Sequence, residues 1–318
     1  MAGGEDGVHV IFGTGPLGFA VMRRLLTAGK RTRLVSRTGR ADAPTGVEVV
    51  AADATEPAGA RRACEGAAVV FHCANGQYGR WHQTLPALMN GIVQGAATAG
   101  AKVVYGDNLY AYGPVSGAMT EDLPYRPVGL STAVRAAVAT TLMEAHSQGR
   151  VRATIGRASD FYGRGVHLST VGDGVFARAL SGKPALALGD PDEPHTYPFI
   201  DDFAAALVTL GSRDEALGQV WHVPSAGTVT TRRFIEMVFE QLGTRPRLRV
   251  APALAIKFVA LFNPGARGVK EVLYQSAQAF VVDHAKYTRA FGGTTTTHEE
   301  AIAQTLEWFR QQTEGVRP

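Results

Sequence analysis

Gly13, Gly15 and Gly18 fall in the stretch IFGTGPLGFA at the spacing with which a backbone wraps a pyrophosphate. Gly13 permits a tight turn, Gly15 lets the chain approach the phosphates, and Gly18 lets a helix pack close to a strand. Thr14, Pro16 and Leu17 complete the loop, and the helix that starts there offers free N–H groups and the positive end of its dipole to the anion. Further on, Val35-Ser36-Arg37 stands where an NAD site carries Asp or Glu for the ribose 2′-hydroxyl, with Arg33 and Arg40 nearby and no carboxylate until Asp42. A hydroxyl and a guanidinium suit a 2′-phosphate, so the pattern favours NADP(H) over NAD(H). Asp53, followed by Ala54 in VVAADAT, could accept from an adenine amino group or close a turn. Ala74 and Asn75 in FHCAN leave room for a ribose or nicotinamide over the backbone, or simply end a strand.

These residues need a frame, and the apolar pattern supplies one. Short runs at 8–12, 31–35, 47–51, 69–72, 102–105 and 152–156 read as strands. Helical spacing at 17–28, 57–64, 81–99 and 127–146 alternates with them. That alternation predicts an α/β fold, a Rossmann-type doubly wound parallel sheet whose β-branched strands are covered on both faces. Beyond Gly165 the rhythm changes to helix-like stretches at 169–180, 203–210, 232–242 and 300–311, set among Pro/Gly loops. Residues 1–165 are therefore expected to form the dinucleotide-binding domain, with a segment near 197–224 returning to it. Residues 166–318 are expected to form mainly a smaller α+β substrate lobe. Its apolar residues Phe176, Leu186, Phe258, Phe262 and Tyr274 occur at helical spacing, which fits core better than pocket.

Composition narrows the classes. The net charge is +4, but only six of the 32 basic residues are lysine and the arginines are dispersed, the longest cluster being Arg245, Arg247 and Arg249. Dispersed arginines read as solvated helix faces and argue against a nucleic-acid partner. Cys64 and Cys73 are the only cysteines, lack metal spacing and read as free thiols in a reducing compartment. The polar start MAGGEDG is no signal peptide and no apolar run reaches membrane-spanning length, so a cytoplasmic protein without bound metal is expected.

Taken in order, the glycine loop, VVYGDNLYAYG (103–113), RASDFYGRG (157–165), YPFIDDFAAAL (197–207) and TTTTHEEAIAQTLEW (294–308) resemble the extended short-chain dehydrogenase/reductases, the NAD(P)-dependent epimerase/dehydratase group. The resemblance covers nearly the whole chain. It implies that the backbone of Ala158, Ser159 and Phe161 lies along the nicotinamide. It also implies a small-molecule substrate, and a homodimer through helices 81–99 and 130–147 would fit it.

The same resemblance exposes a gap. In the family a Tyr-x-x-x-Lys pair moves a proton at the substrate oxygen, and the lysine lowers the tyrosine's pKa and holds the nicotinamide ribose. A Ser or Thr four residues before the Tyr-Gly of the loop after the fifth strand, here Tyr112-Gly113, helps to bind that oxygen. Here the matching positions are Ser131, Arg135 and Asn108, and no tyrosine lies between Tyr125 and Tyr162, nor a lysine between Lys102 and Lys183. Arginine keeps the charge but cannot deprotonate, asparagine can still donate to an oxyanion, and a serine hydroxyl is a poor acid at neutral pH. Tyr110 and Tyr162 are the candidate replacements for the phenol, with Tyr112, His195 and Tyr197 as further ones and Asp160 as an orienting group. The reading is an NADP-dependent oxidoreductase for a small organic carbonyl or alcohol with a non-standard proton donor. Its alternatives are a non-redox isomerase, epimerase, dehydratase or cyclase, and a non-catalytic dinucleotide sensor.

Overall fold

The computed structural model describes residues 7–76, 80–251 and 271–314. Strands and helices alternate through its first part: β1 (Val8–Phe12), α1 (Pro16–Thr27), β2 (Thr32–Ser36), β3 (Glu48–Ala51), α2 (Pro57–Ala63), β4 (Ala67–His72), α3 (Trp81–Ala99), β5 (Lys102–Asn108), α4 (Leu130–Ser147) and β6 (Arg152–Ala158). The chain continues through α5 (Phe176–Leu180), β7 (Ala185–Leu188), β8 (Pro194–His195), α6 (Ile200–Ser212), β9 (Val220–His222), β10 (Val229–Thr230), α7 (Thr231–Gln241), β11 (Leu248–Ala251), α8 (Ala285–Phe291) and α9 (His298–Glu314). One seven-stranded sheet has the order β3-β2-β1-β4-β5-β6-β9, the doubly wound arrangement that the strand pattern predicts. β1 pairs in parallel with both β2 and β4, which sets the topological switch point at the end of β1.

Register decides which side chains meet at that end. Phe12 lies opposite Val35 and His72, His72 opposite Tyr105, and Ser36 opposite Ala51. The residues that follow, Gly13, Arg37 and Cys73, therefore leave the sheet along one edge. Helix α1 covers that edge closely, because a Cβ at Gly106 of β5 would stand 2.8 Å from Leu17 Cδ2. Helix α3 is seated on backbone. A Cβ at Gly91 would lie 1.9 Å from the Ala54 carbonyl oxygen, and one at Gly95 2.7 Å from the Ala60 carbonyl oxygen. Neighbouring Cys64 is buried, and burial pushes its thiol up to about 12.

Contacts gather the chain into two units. The first comprises residues 1–111, 127–157 and 204–221, and the second residues 112–126, 158–203 and 222–318. The second unit holds two small sheets, β7 with β11 in parallel and β8 with β10 antiparallel. Its core is aromatic: Tyr162, Phe176 and Phe234 are each 1% exposed or less, and Phe176 stacks on Phe309 at 5.7 Å. Phe258 and Phe262 lie outside the described residues.

The expected helix over 169–180 is only the short α5. Gly172 packs on the His167 carbonyl oxygen, at 2.4 Å from where its Cβ would be, and the Asp173 N–H donates to that same oxygen. Those bonds fold 167–175 into turns before a helical ladder can start. Strand β5 extends to Asn108 and β6 to Ala158, further than their apolar runs suggest. No helix among the described residues is long and apolar enough to cross a membrane.

Candidate dinucleotide site and acid–base cluster

The three glycines do three different things. Gly13 has φ +114°, and a Cβ there would meet the Ala74 N and Cα at 2.7 Å. Gly18 packs on the Gly13 carbonyl oxygen, 2.0 Å from where its Cβ would be. Gly15 is exposed, and a Cβ on it would have nothing within 4 Å, so the turn presents open backbone between two crowded glycines. Gly15 caps α1 without a side chain, and Pro16 at the first helical positions leaves the next N–H groups to any ligand. This cradle fits a dinucleotide pyrophosphate.

At the end of β2 the Ser36 hydroxyl exchanges hydrogen bonds with the backbone of Arg40, accepting from its N–H and donating to its carbonyl, each at 3.1 Å. Arg37 is exposed. Arg33 is not available there, since it donates to Glu48 Oε2 at 2.8 Å and to the carbonyls of Ala63 and Glu65. Asp53 Oδ1 accepts from the Thr55 N–H and hydroxyl at 2.9 and 2.7 Å, closing the turn into α2. Those bonds hold its carboxyl below the usual range, with a smaller pull from Arg37. Ala54 is buried and gives its carbonyl to the α3 seat.

Around the ends of β4 and β5 a second cluster forms on Arg135. Its position on α4 is fixed by Thr132, whose hydroxyl accepts from the N–H groups of Val128 and Gly129 at 2.9 Å and starts the helix. Arg135 is 5% exposed. Its Nη1 donates to Tyr105 Oη at 2.8 Å and faces Asp107 Oδ1 at 3.4 Å, and its Nη2 donates to Asn75 Oδ1 at 2.8 Å. Arg157 binds the other oxygen of Asp107 at 3.1 Å, so one buried carboxylate lies between two guanidiniums. The Arg135 Cζ stands 4.3 Å from the ring centroid of Trp81, and the Tyr110 ring is 6.1 Å from the same indole. Asn108 Oδ1 accepts from the Tyr110 N–H at 3.1 Å, and Ser131 stands half-buried one turn before Arg135.

The first unit thus gathers the glycine turn, Ser36, Arg37, Asp53, Ala54, Ala74, Asn75, Asn108, Tyr110, Ser131 and Arg135. The remaining candidates belong to the second unit. There Ala158 is buried, the Ser159 hydroxyl donates to the Thr196 carbonyl at 2.5 Å, and Phe161 packs on Phe203 at 5.7 Å. Tyr162 hydrogen-bonds His298 Nδ1 at 3.1 Å, and burial raises its phenol above the ordinary range. His195 Nε2 faces Asp160 Oδ2 at 3.5 Å and stacks on Tyr197 at 4.3 Å. Trp81, Tyr105, Asp107 and Arg157 were not evident as site residues. The alternation of Tyr105 and Asp107 along one face of β5 is the signal that would have found two of them.

A model of the NAD dependent epimerase/dehydratase family matches residues 9–223. The chain belongs to that family. No curated protein gives a significant match to it. Among solved structures, the chain is similar to the dTDP-glucose 4,6-dehydratase DesIV of Streptomyces venezuelae with NAD and TYD bound, at 18% identity, TM-score 0.78, and 97% and 98% of the two chains covered. It is similar to the UDP-glucose 4-epimerase of Thermus thermophilus complexed with NAD, at 19% identity, TM-score 0.77, and 95% and 99% coverage. A dTDP-glucose 4,6-dehydratase of Bacillus anthracis in complex with NAD gives 14% identity, TM-score 0.79, and 97% and 98% coverage. These likenesses establish the extended short-chain dehydrogenase/reductase fold.

In this epimerase/dehydratase-family chain β4 ends on a costly residue. His72 is fully buried, its ring lies 4.7 Å from that of Tyr105, and neither ring nitrogen has a hydrogen-bond partner among the described residues. Burial, with the Arg135 cation adding to it, lowers the imidazole from 6.5 to about 3. Folded and unfolded forms are both neutral above pH 6.5, so this group adds no pH dependence there. Below 6.5 the unfolded chain takes up a proton that the folded one refuses, and stability falls by about 1.4 kcal/mol per unit. Between pH 7 and 5 a His72→Phe protein is expected to lose about 2 kcal/mol less than the wild type. Urea unfolding at both pH values measures it, and equal losses in the two proteins would contradict it.

Proposed function

We propose that the chain is an NADP-dependent oxidoreductase of the extended short-chain dehydrogenase/reductase type, acting on a small organic carbonyl or alcohol. The observation that carries this is the Arg135–Trp81–Tyr110 cluster, in a chain whose α4 has neither tyrosine nor lysine. The Trp81 indole borders both groups, with the Arg135 Cζ 4.3 Å and the Tyr110 ring 6.1 Å from its centroid. A nearby cation favours the ionised phenol, which is the effect the family obtains from its lysine.

Tyr110 moves a proton at its Oη to or from the substrate oxygen. Asn108 has its Oδ1 taken by the Tyr110 N–H, so its amide nitrogen is the atom that donates to that oxygen. Ser131 adds a hydroxyl beside them, and Arg135 holds a ribose hydroxyl while keeping its charge at every working pH. Tyr162, enclosed and bonded to His298, carries no proton in this scheme. Gly13, Thr14, Gly15, Pro16, Leu17 and Gly18 would hold the pyrophosphate, Asp53 and Ala54 would border the adenine, and Ala74 and Asn75 the ribose. When bound, the nicotinamide supplies the hydride chemistry.

Arg37 would take the 2′-phosphate, beside the turn that the Ser36 hydroxyl holds through the Arg40 backbone and from which it would turn its proton to the phosphate. Arg37→Ala is expected to weaken NADPH binding about tenfold to a hundredfold and to leave NADH unchanged, the range of one charge-assisted contact. A titration followed by nicotinamide emission reads both. Equal loss for the two nucleotides would remove the preference for NADP. Net NADPH consumption with a panel of small aldehydes and ketones tests the reaction itself.

The family's description and the dehydratases and epimerases among its structural relatives favour a second reading, a non-redox conversion on the same scaffold. Substrate conversion with no net change in nucleotide would identify it.

A further inference from the structure

We infer that Trp81 is a positioning residue whose indole face holds the Arg135 guanidinium beside Tyr110. This rests on the reading above, in which Arg135 and Tyr110 act together.

Trp81 is the first residue of α3 and only 3% exposed. Its ring is itself held fast. The Nε1–H donates to the Gly76 carbonyl at 3.0 Å, and Gly76 sits so tightly on α3 that a Cβ there would be 2.2 Å from Thr84 Oγ1. The N–H groups that Arg135 directs at Tyr105, Asp107 and Asn75 lie in the guanidinium plane, so these bonds resist movement within it. They resist tilting out of that plane far less. The indole, 4.3 Å from Cζ, closes that direction and attracts the cation through the negative face of the ring. The same ring touches Tyr110, so one side chain sets both partners. Leucine or methionine would keep the position apolar, with less bulk and without that attraction. A phenylalanine would keep a smaller aromatic face for the cation and lose the five-membered ring with its N–H.

The test compares Trp81→Leu, Trp81→Met and Trp81→Phe with Arg135→Met and Tyr110→Phe. One readout is the near-ultraviolet tyrosinate band, with Tyr110 assigned by subtracting the Tyr110→Phe spectrum. The other is NADPH binding by nicotinamide emission. The other charged or titratable groups packed around the cluster are Tyr105 and Asp107 of β5, His72 of β4 and Arg157 of β6, and none is altered. Leu and Met are expected to move the Tyr110 titration to higher pH and to raise the NADPH Kd about tenfold, the scale of a desolvated cation–π contact. Phe is expected to stay within about threefold of the wild type on the same scale. Leu or Met behaving like the wild type, or Phe behaving like Leu, overturns the inference. If Arg135→Met shifts Tyr110 while Leu and Met at position 81 do not, only the role of Trp81 falls. If Arg135→Met leaves Tyr110 unmoved, the pairing of Arg135 with Tyr110 falls as well.

Discussion

Gly13→Ala is expected to lower dinucleotide affinity by about a hundredfold, the loss that follows when about 3 kcal/mol of backbone strain must be met in the bound turn. The reason is local and has two parts. The backbone at Gly13 has φ +114°, which an L side chain adopts only under strain, and the new methyl would meet Ala74 N and Cα at 2.7 Å and the Cys73 carbonyl carbon at 2.8 Å. All three are backbone atoms at the end of β4, so the turn itself has to move. Gly18 rests on the Gly13 carbonyl, and the start of α1 moves with it. Gly15→Ala separates this strain from ligand contact. Its φ of −83° is ordinary, and nothing lies within 4 Å of the added methyl. That variant should unfold at the wild-type temperature and still bind NADPH poorly. Wild-type binding by Gly15→Ala would mean that no pyrophosphate lies against Gly15.

Tyr110→Phe is expected to cut turnover by about 10²- to 10⁴-fold, the usual contribution of a positioned proton donor, while the NADPH Kd stays near that of the wild type. Phenylalanine keeps the ring beside Trp81 and removes only the hydroxyl. Ser131→Ala, measured alongside, should cost far less, because a serine hydroxyl is too weak an acid to be the donor. Steady-state NADPH consumption on whichever carbonyl gives the highest rate, paired with the binding titration, distinguishes the two variants. Full turnover by Tyr110→Phe would remove the proton role from this residue.

How much of this was legible before the structure depends on how far apart the partners are in sequence. The glycine turn could be read because its geometry is local: three glycines, one strand, one helix. The strands could be read for a similar reason, since each is a short apolar run that ends in a turn. The Arg135 cluster could not. It joins Asn75, Tyr105, Asp107 and Arg157, residues that meet only because β4, β5 and β6 lie side by side in register. Trp81 reads in sequence as the ordinary start of an amphipathic helix. Arg33, close in sequence to the nucleotide turn, has a structural role that its position alone does not show, tying β2 to Glu48 and the end of α2. The missing helix over 169–175 is a third case, where apolar spacing was right for a helix but backbone bonds to His167 came first.

The seat of α3 on α2 also has a mechanical meaning. Side chains between two helices act as a cushion, taking up small displacements by changing rotamer. Gly91 and Gly95 leave no cushion, because their α-carbons bear directly on the carbonyls of Ala54 and Ala60. Ala54 follows Asp53 in the turn before α2, and α3 begins with Trp81 against the Arg135 guanidinium. The middle of α3 is therefore fixed against the turn before α2 at a distance set by backbone packing, with Pro86 between that seat and Trp81.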